Sequence, residues 1–292
     1  VLAVSLLLGW AGVELARGPA GFSALAAYTA MAVLVPLNAL AAFALPERGV
    51  DGLVLVGSDH SPELARFLAQ SNVPFELTWT LDPAGHHHCV GFSNRLASIR
   101  MAQHLLDLGH REIAVLSGYT ANNDRARERV AGVREALAGR GIPLPEARVV
   151  ETAFSVARGR AALRALLEQD PKLTAVICGN DILALGALLE CAARGLAVPA
   201  DFSVAGFDDI ELAAEVSPAL TTVRIPTARI GQRAGERLLA RLAGKRVAKA
   251  EEVPVELMLR ASTGPVPAGA ARRGAKRAPV NPVRTAARKS RR

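Results

Sequence analysis

The chain has 292 residues, half of them hydrophobic and 21% charged, which is enough apolar surface for a sizeable core and unlike the composition of a disordered chain. Three cysteines are too few, and odd in number, for a disulfide framework. The net charge of +8 suggests nucleic acid only until it is mapped: nine basic residues and no acid lie between Thr263 and Arg292, which leaves the remainder at −1, so no basic groove is expected through the folded part.

Residues 1–46 carry two charges, Glu14 and Arg17, and Gly18–Leu45 carries none. That run has three readings: a membrane span by length, a signal-like leader, which Glu14 and the lack of a basic start oppose, or a truncated or frame-shifted start. From residue 47 strand and helix signals alternate. Val50–Gly57 is an apolar strand run, and Pro62–Gln70 a helix with Ser61 as its N-cap. Val73–Trp79 is a strand. Leu96–Leu108 is a helix stopped by Gly109. Glu112–Ser117 is a strand, Asp124–Leu137 a helix, Val149–Thr152 a strand and Ala157–Glu168 a helix. Thr174–Gly179 is a strand, and Asp181–Arg194 a helix closed by Gly195. Phe202–Gly206, Thr221–Ile225 and Val253–Leu259 are strands, and Ala228–Leu242 is a long helix. Residues 265–292, rich in Pro, Ala, Gly and Arg, bury too little to offset their ordering entropy and read as a disordered basic tail.

Apolar strands separated by amphipathic helices indicate an α/β fold of doubly wound parallel sheets. Such sheets bind ligands beyond the carboxyl ends of their strands. The residues there include Ser58, Trp79, Phe92, Phe154, Asn180 and Asp208, with Arg129 on the helix after Glu112–Ser117. Amide, carboxylate and guanidinium groups beside flat aromatics suit a polar small molecule. Each also has a plain structural role open to it. Asn180-Asp181 suits a helix cap, Asp208-Asp209 a strand-ending turn, Arg129 a solvated helix face, and the aromatics a core.

The order of motifs is more specific than any one residue. GVDGLVLVG, GHREIAVLSG, RERVAGVREAL, AVICGNDILALGAL, GFDDIELAAEVSPALTTVR and the closing RAST follow one another. Over about residues 48–264 the chain resembles the sensor region of LacI/GalR-type transcriptional regulators. The resemblance implies two hinged lobes of the type I periplasmic-binding-protein kind, within residues 47–264. Lobe one would take about 47–92 plus 226–250, and lobe two about 93–224 plus 252–264, with the first lobe incomplete. Between them a sugar or sugar-acid-like effector would meet Arg129, Asn180 and Asp208, with Phe92 and Phe154 as apolar walls and Trp79 and Ser58 as further ligand-binding residues. Trp79 replaces an acid common in the family, so the ligand is expected to differ from a simple sugar.

The same resemblance implies a cytoplasmic homodimeric repressor that couples effector binding to operator DNA through a helix-turn-helix headpiece this chain does not contain. It also favours the truncated-start reading of residues 1–46, because PERGVDGLVLVG enters the pattern halfway through the first lobe. No catalytic pair, metal set or cofactor motif is recognised. His86-His87-His88-Cys89 reads as a surface loop, since neighbouring histidines in an extended segment point apart. The tail suits non-specific contact with nucleic-acid phosphates. The competing reading is a periplasmic or membrane-anchored substrate-binding protein for sugar uptake.

Overall fold

The computed structural model describes residues 51–267 together with one strand, β1 (Glu14–Ala16). The expectations for the rest of residues 1–46 and for the tail beyond Pro267 lie outside the described residues. Five strands form the first sheet, in the order β1-β2-β3-β4-β10. They include β2 (Gly52–Val56), β3 (Phe75–Thr78), β4 (Cys89–Gly91) and β10 (Ala250–Glu252). β2, β3, β4 and β10 run parallel, whereas β1 pairs with β2 antiparallel.

The second sheet is wholly parallel, in the order β6-β5-β7-β8. Its strands are β5 (Ile113–Ser117), β6 (Val149–Glu151), β7 (Ala175–Cys178) and β8 (Ser203–Ala205). Every residue of β5, β7 and β8 is buried, as expected of a sheet covered on both faces.

The helices begin where polar caps permit. Ser61 Oγ accepts the Leu64 N–H at 3.2 Å to open α1 (Pro62–Gln70), at the bounds the sequence indicates. Ser93 caps Leu96 N at 3.1 Å, so α2 (Asn94–Asp107) starts two residues before the apolar spacing suggests. Asn123, Ser155 and Asn180 cap α3 (Asp124–Ala138), α4 (Val156–Gln169) and α5 (Asp181–Ala193) in the same way. Glu211–Glu215 forms a short helix, α6, and α7 (Thr227–Leu242) lies across the first sheet.

The C-terminal strand differs from the sequence expectation. Val253–Leu259 does not form one strand. Pro254 supplies no N–H, and the path divides around it. β10 pairs parallel with β4 in the first sheet, while β11 (Glu256–Met258) pairs antiparallel with β9 (Thr222–Arg224). The β9 segment is joined to the second sheet through the bridge Ala205–Thr221. The chain thus passes between the sheets three times among the described residues, near Phe92, near Ile225 and at Val253–Val255. These crossings share one apolar cluster, containing Phe92, Ile225 and Val253, with Val255 packed against it. A second cluster fills the space between the second sheet and α4 and α5.

The RAST segment has a physical reason in this arrangement. Ser262 Oγ donates to Val204 O at 2.6 Å and accepts from Thr221 N at 2.8 Å. Thr263 Oγ1 lies 2.9 Å from both Thr221 Oγ1 and His104 Nε2. Arg260 donates to Leu220 O at 2.8 Å. The closing motif is therefore a polar clasp between β8, the SPALTTVR segment and α2.

Candidate functional site

The carboxyl ends of β2, β3, β5, β7 and β8 lie on the side of the two sheets from which α3 starts. Arg129, one and a half turns into α3, is the centre of the polar groups gathered there. Its Nε donates to Asn94 Oδ1 at 2.8 Å and its Nη1 to the Gly179 carbonyl at 2.5 Å. The guanidinium lies 3.8 Å from the centre of the Phe207 ring, a cation–π arrangement strengthened by desolvation. The nearest carboxylate oxygen of Asp208 stands 3.8 Å away. Burial lowers the Arg129 pKa to about 10, against the upward pull of Asp208, so the group remains cationic at neutral pH. The reading of Arg129 as a solvated helix residue is thus excluded.

Asp208 follows β8 with φ at 124°, outside the usual range for a residue with a side chain. That conformation is held by its N–H, which donates to Val223 O at 2.9 Å. Burial pushes its carboxyl up to about 7, more than Arg129 pulls it down.

Asn180 is buried and its Oδ1 accepts the Leu183 N–H at 2.9 Å, so its capping role is real. The next residue, Asp181, is fully buried. It accepts from Thr222 Oγ1 at 2.6 Å and from Ile210 N at 2.9 Å. Asp181 thereby fixes the Gly206–Asp209 loop beside the start of α5.

From the first sheet, Trp79 comes to the same place with a positive φ of 64°. Its carbonyl accepts from Asn94 Nδ2 at 2.8 Å. Asn94 therefore bridges Trp79, just after β3 of the first sheet, to Arg129 on α3, which follows β5 of the second, a role that its place among the residues just after a strand suggests only loosely. Phe92 is a correction. It is 1% exposed and lies between Trp79, tilted at 6.2 Å, and Phe207, stacked at 6.3 Å. It backs the aromatic layer and does not form an open wall. Phe154 stays 38% exposed, its ring against Gly118, where a Cβ would overlap it. Ser58 is exposed and donates through both N–H and Oγ to Asp124 Oδ2, at 3.1 and 3.0 Å. Against the upward push of burial, Arg125 and Ser58 hold the Asp124 carboxyl below its ordinary range.

The structure therefore gathers Arg129, Asn180, Asp208 and Trp79 with Asn94 and Phe207, holds Ser58 on Asp124 at the start of α3, and leaves Phe154 half-exposed against Gly118. Two surface grooves lie elsewhere. One of about 580 Å³ runs along α3 past Arg95, Arg127, Arg134 and Glu151, and its arginines are paired with acids. The other, about 320 Å³, follows the crossing segment at Phe92, Leu96 and Val253–Val255. Buried polar groups converge at Arg129, apart from both grooves. His86 and His87 sit on an exposed loop pinned by the His87 N–H to Asp82 at 2.8 Å. Among the described residues no group of three or more His, Cys, Asp or Glu side chains is placed to hold a metal ion. Nor is any helix among them long and apolar enough to cross a membrane.

Comparison with known proteins gives a consistent set of relatives. Residues 102–263 match the profile of the family described as "Periplasmic binding protein-like domain". An HTH-type transcriptional regulator from the aml 5' region of Streptomyces limosus is 40% identical over 239 residues, which covers 77% of this chain and 66% of that protein. The chain thus spans somewhat less than two thirds of this relative. Among solved structures, the transcription regulator GntR from Chromobacterium violaceum superposes with a TM-score of 0.72 at 32% identity, covering 77% of this chain and 82% of that one. The complex of the transcriptional regulator CelR with cellobiose gives 0.71 at 30% identity, covering 77% and 69%.

Proposed function

Because the chain belongs to the periplasmic binding protein-like family, as the effector-binding region of LacI/GalR-type regulators, we propose that it senses a small polar metabolite between its two sheets and relays the binding to operator DNA. The relatives are transcription regulators and not enzymes, which favours this reading over sugar uptake and over catalysis. Family members act on operators through a helix-turn-helix headpiece and commonly as dimers; a cytoplasmic homodimer with such a headpiece is the corresponding assembly here.

The single observation that carries the proposal is the convergence of Arg129, Asn94, Asp208 and Trp79 at the carboxyl ends of strands from both sheets. Arg129 would clamp ligand oxygens with a fork of donors. Asp208 would accept or donate to a hydroxyl, the Nδ2 end of Asn180 would donate, and Trp79 and Phe154 would cover apolar ring faces. A ligand held by both sheets stabilises the arrangement in which they are close, and so shifts the population that a headpiece reads. The CelR neighbour, solved with cellobiose, makes sugars the natural first class. Thermal-shift screening of neutral sugars and sugar acids against this chain is the direct test. At least one is expected to raise the melting temperature in a concentration-dependent way. A complete lack of response across both classes would remove the proposal.

A further inference from the structure

Two consecutive residues in the loop after β8 carry positive φ, Asp208 at 124° and Asp209 at 58°. The second value is one that an aspartate adopts at modest cost, whereas the first is strained. Strained backbone persists only where its surroundings over-determine it. Main-chain bonds supply part of that restraint. The Asp208 N–H donates to Val223 O at 2.9 Å, and its carbonyl accepts from the Ile225 N–H at 3.3 Å. A further part comes from the Asp209 side chain, which the ligand reading does not use.

The Asp209 side chain is 6% exposed and lies between two guanidiniums. Arg224 Nε, on β9, donates to its Oδ2 at 2.6 Å. Arg260 Nη2, just past β11, stands 2.6 Å from its Oδ1. Arg260 is itself fixed: its Nη1 donates to Leu220 O at 2.8 Å and its N–H to Thr221 Oγ1 at 2.9 Å. A carboxylate held in this way resists displacement, since leaving either cation would strand a poorly solvated charge. The neighbouring carboxyl has different charged partners. Asp208 meets Arg129 of α3 at 3.8 Å and feels Asp181 of α5.

We infer that Asp209 is a positioning residue for the candidate site: Arg224 and Arg260 clamp it, and the clamp holds Asp208 in the strained conformation that faces its carboxyl to Arg129. The bearing of this clamp on ligand binding rests on the effector reading of Asp208. The clamp itself rests on contacts within the chain.

The test is a titration of the Asp208 carboxyl by nuclear magnetic resonance on the whole chain, with no ligand added. A failure of the effector reading therefore leaves it intact. Carboxyl carbons of isotope-labelled aspartate are followed across the acid and neutral range, and Asp208 is assigned by the signal lost in Asp208→Asn. The native midpoint is expected at about 7. Arg260→Met removes one arm of the clamp, and charge and placement then act with opposite signs. Loss of a cation by itself raises a carboxyl midpoint. Movement of Asp208 out of the site lowers it, because burial outweighs Arg129 in setting the native value. The clamp predicts a fall of about one pH unit or more, a tenfold weakening of proton binding. Arg224→Met, at a half-exposed position, should shift the midpoint the same way and decides the matter if Arg260→Met does not fold. An unchanged or raised midpoint in the folded variant, or a native midpoint in the ordinary carboxylate range, would overturn the inference.

Discussion

Arg129→Ala is expected to weaken binding of whichever sugar or sugar acid stabilises the chain by about two orders of magnitude. A hydrogen bond to a charged group contributes roughly 1.5–3 kcal/mol, and about 1.4 kcal/mol is a factor of ten in affinity. Losing the two prongs of one guanidinium therefore costs a hundredfold or more. Stability should respond much less. The substitution frees Asn94 Oδ1 and the Gly179 carbonyl from their partner, which is unfavourable. It also removes a cation whose charged form burial already disfavours. These effects oppose one another, so the melting temperature of the empty chain should move little while affinity collapses. Arg129→Lys retains the charge but not the fork, and should recover only a small part of the affinity. Titration calorimetry on the three proteins separates these outcomes. Equal affinity in all three would mean that Arg129 does not touch the ligand.

The second large effect concerns the first sheet. Glu76, on β3, is fully buried. Arg237 and Arg241 of α7 reach its carboxylate at 3.2 and 3.0 Å, and Arg237 also bonds Ala248 O at 2.6 Å, next to β10. One carboxylate thus connects the centre of the sheet to the helix that covers it. Removing one partner of a buried ion pair costs about 3–5 kcal/mol, because the other charge is left without compensation. Here Glu251 stands 3.5 Å from Arg237 and softens the loss. Glu76→Ala should therefore lower stability by about 3 kcal/mol, a large share of the roughly 5–15 kcal/mol typical of a folded domain. The urea midpoint of unfolding reads this directly. Replacing Glu76 and Arg237 together by leucine should cost less than Glu76→Ala alone, since no stranded charge remains on Arg237. By contrast, Glu63→Ala, in the exposed 3.9 Å pair with Arg66, should leave the midpoint unchanged.

Much of the second sheet was legible because its signals are local. Short continuous apolar runs such as Ile113–Ser117 and Ala175–Cys178, bounded by turn residues, fit covered strands, and Ser61, Asn123 and Asn180 mark helix starts through a bond three residues away. The first sheet was less legible. β4 is three residues long and follows three histidines, so no periodicity announces it. β10 reads Ala-Glu-Glu, a polar edge strand recognisable only by its partner. The α6 helix has five residues, too short for a repeat to show.

The site follows the same division. Asn180 and Asp208 stand out because they follow strands, and Arg129 because its motif is specific. Asn94 does not stand out, since its importance comes from lying between two sheets that meet only in three dimensions. Phe92 was the converse case. An aromatic after a strand suggests a ligand wall, but the crossing segment turns it inward onto Trp79 and Phe207.

Hydrogen–deuterium exchange on the whole chain, with and without the stabilising sugar or sugar acid, tests most directly whether a ligand sits between the sheets. Slowed exchange is expected together in Thr78–Thr80 of the first sheet and in Asp124–Arg129, Gly179–Asp181 and Gly206–Asp209 of the second. Protection confined to one sheet, or to the outer face of α3 around Arg134, would contradict a site shared by the two.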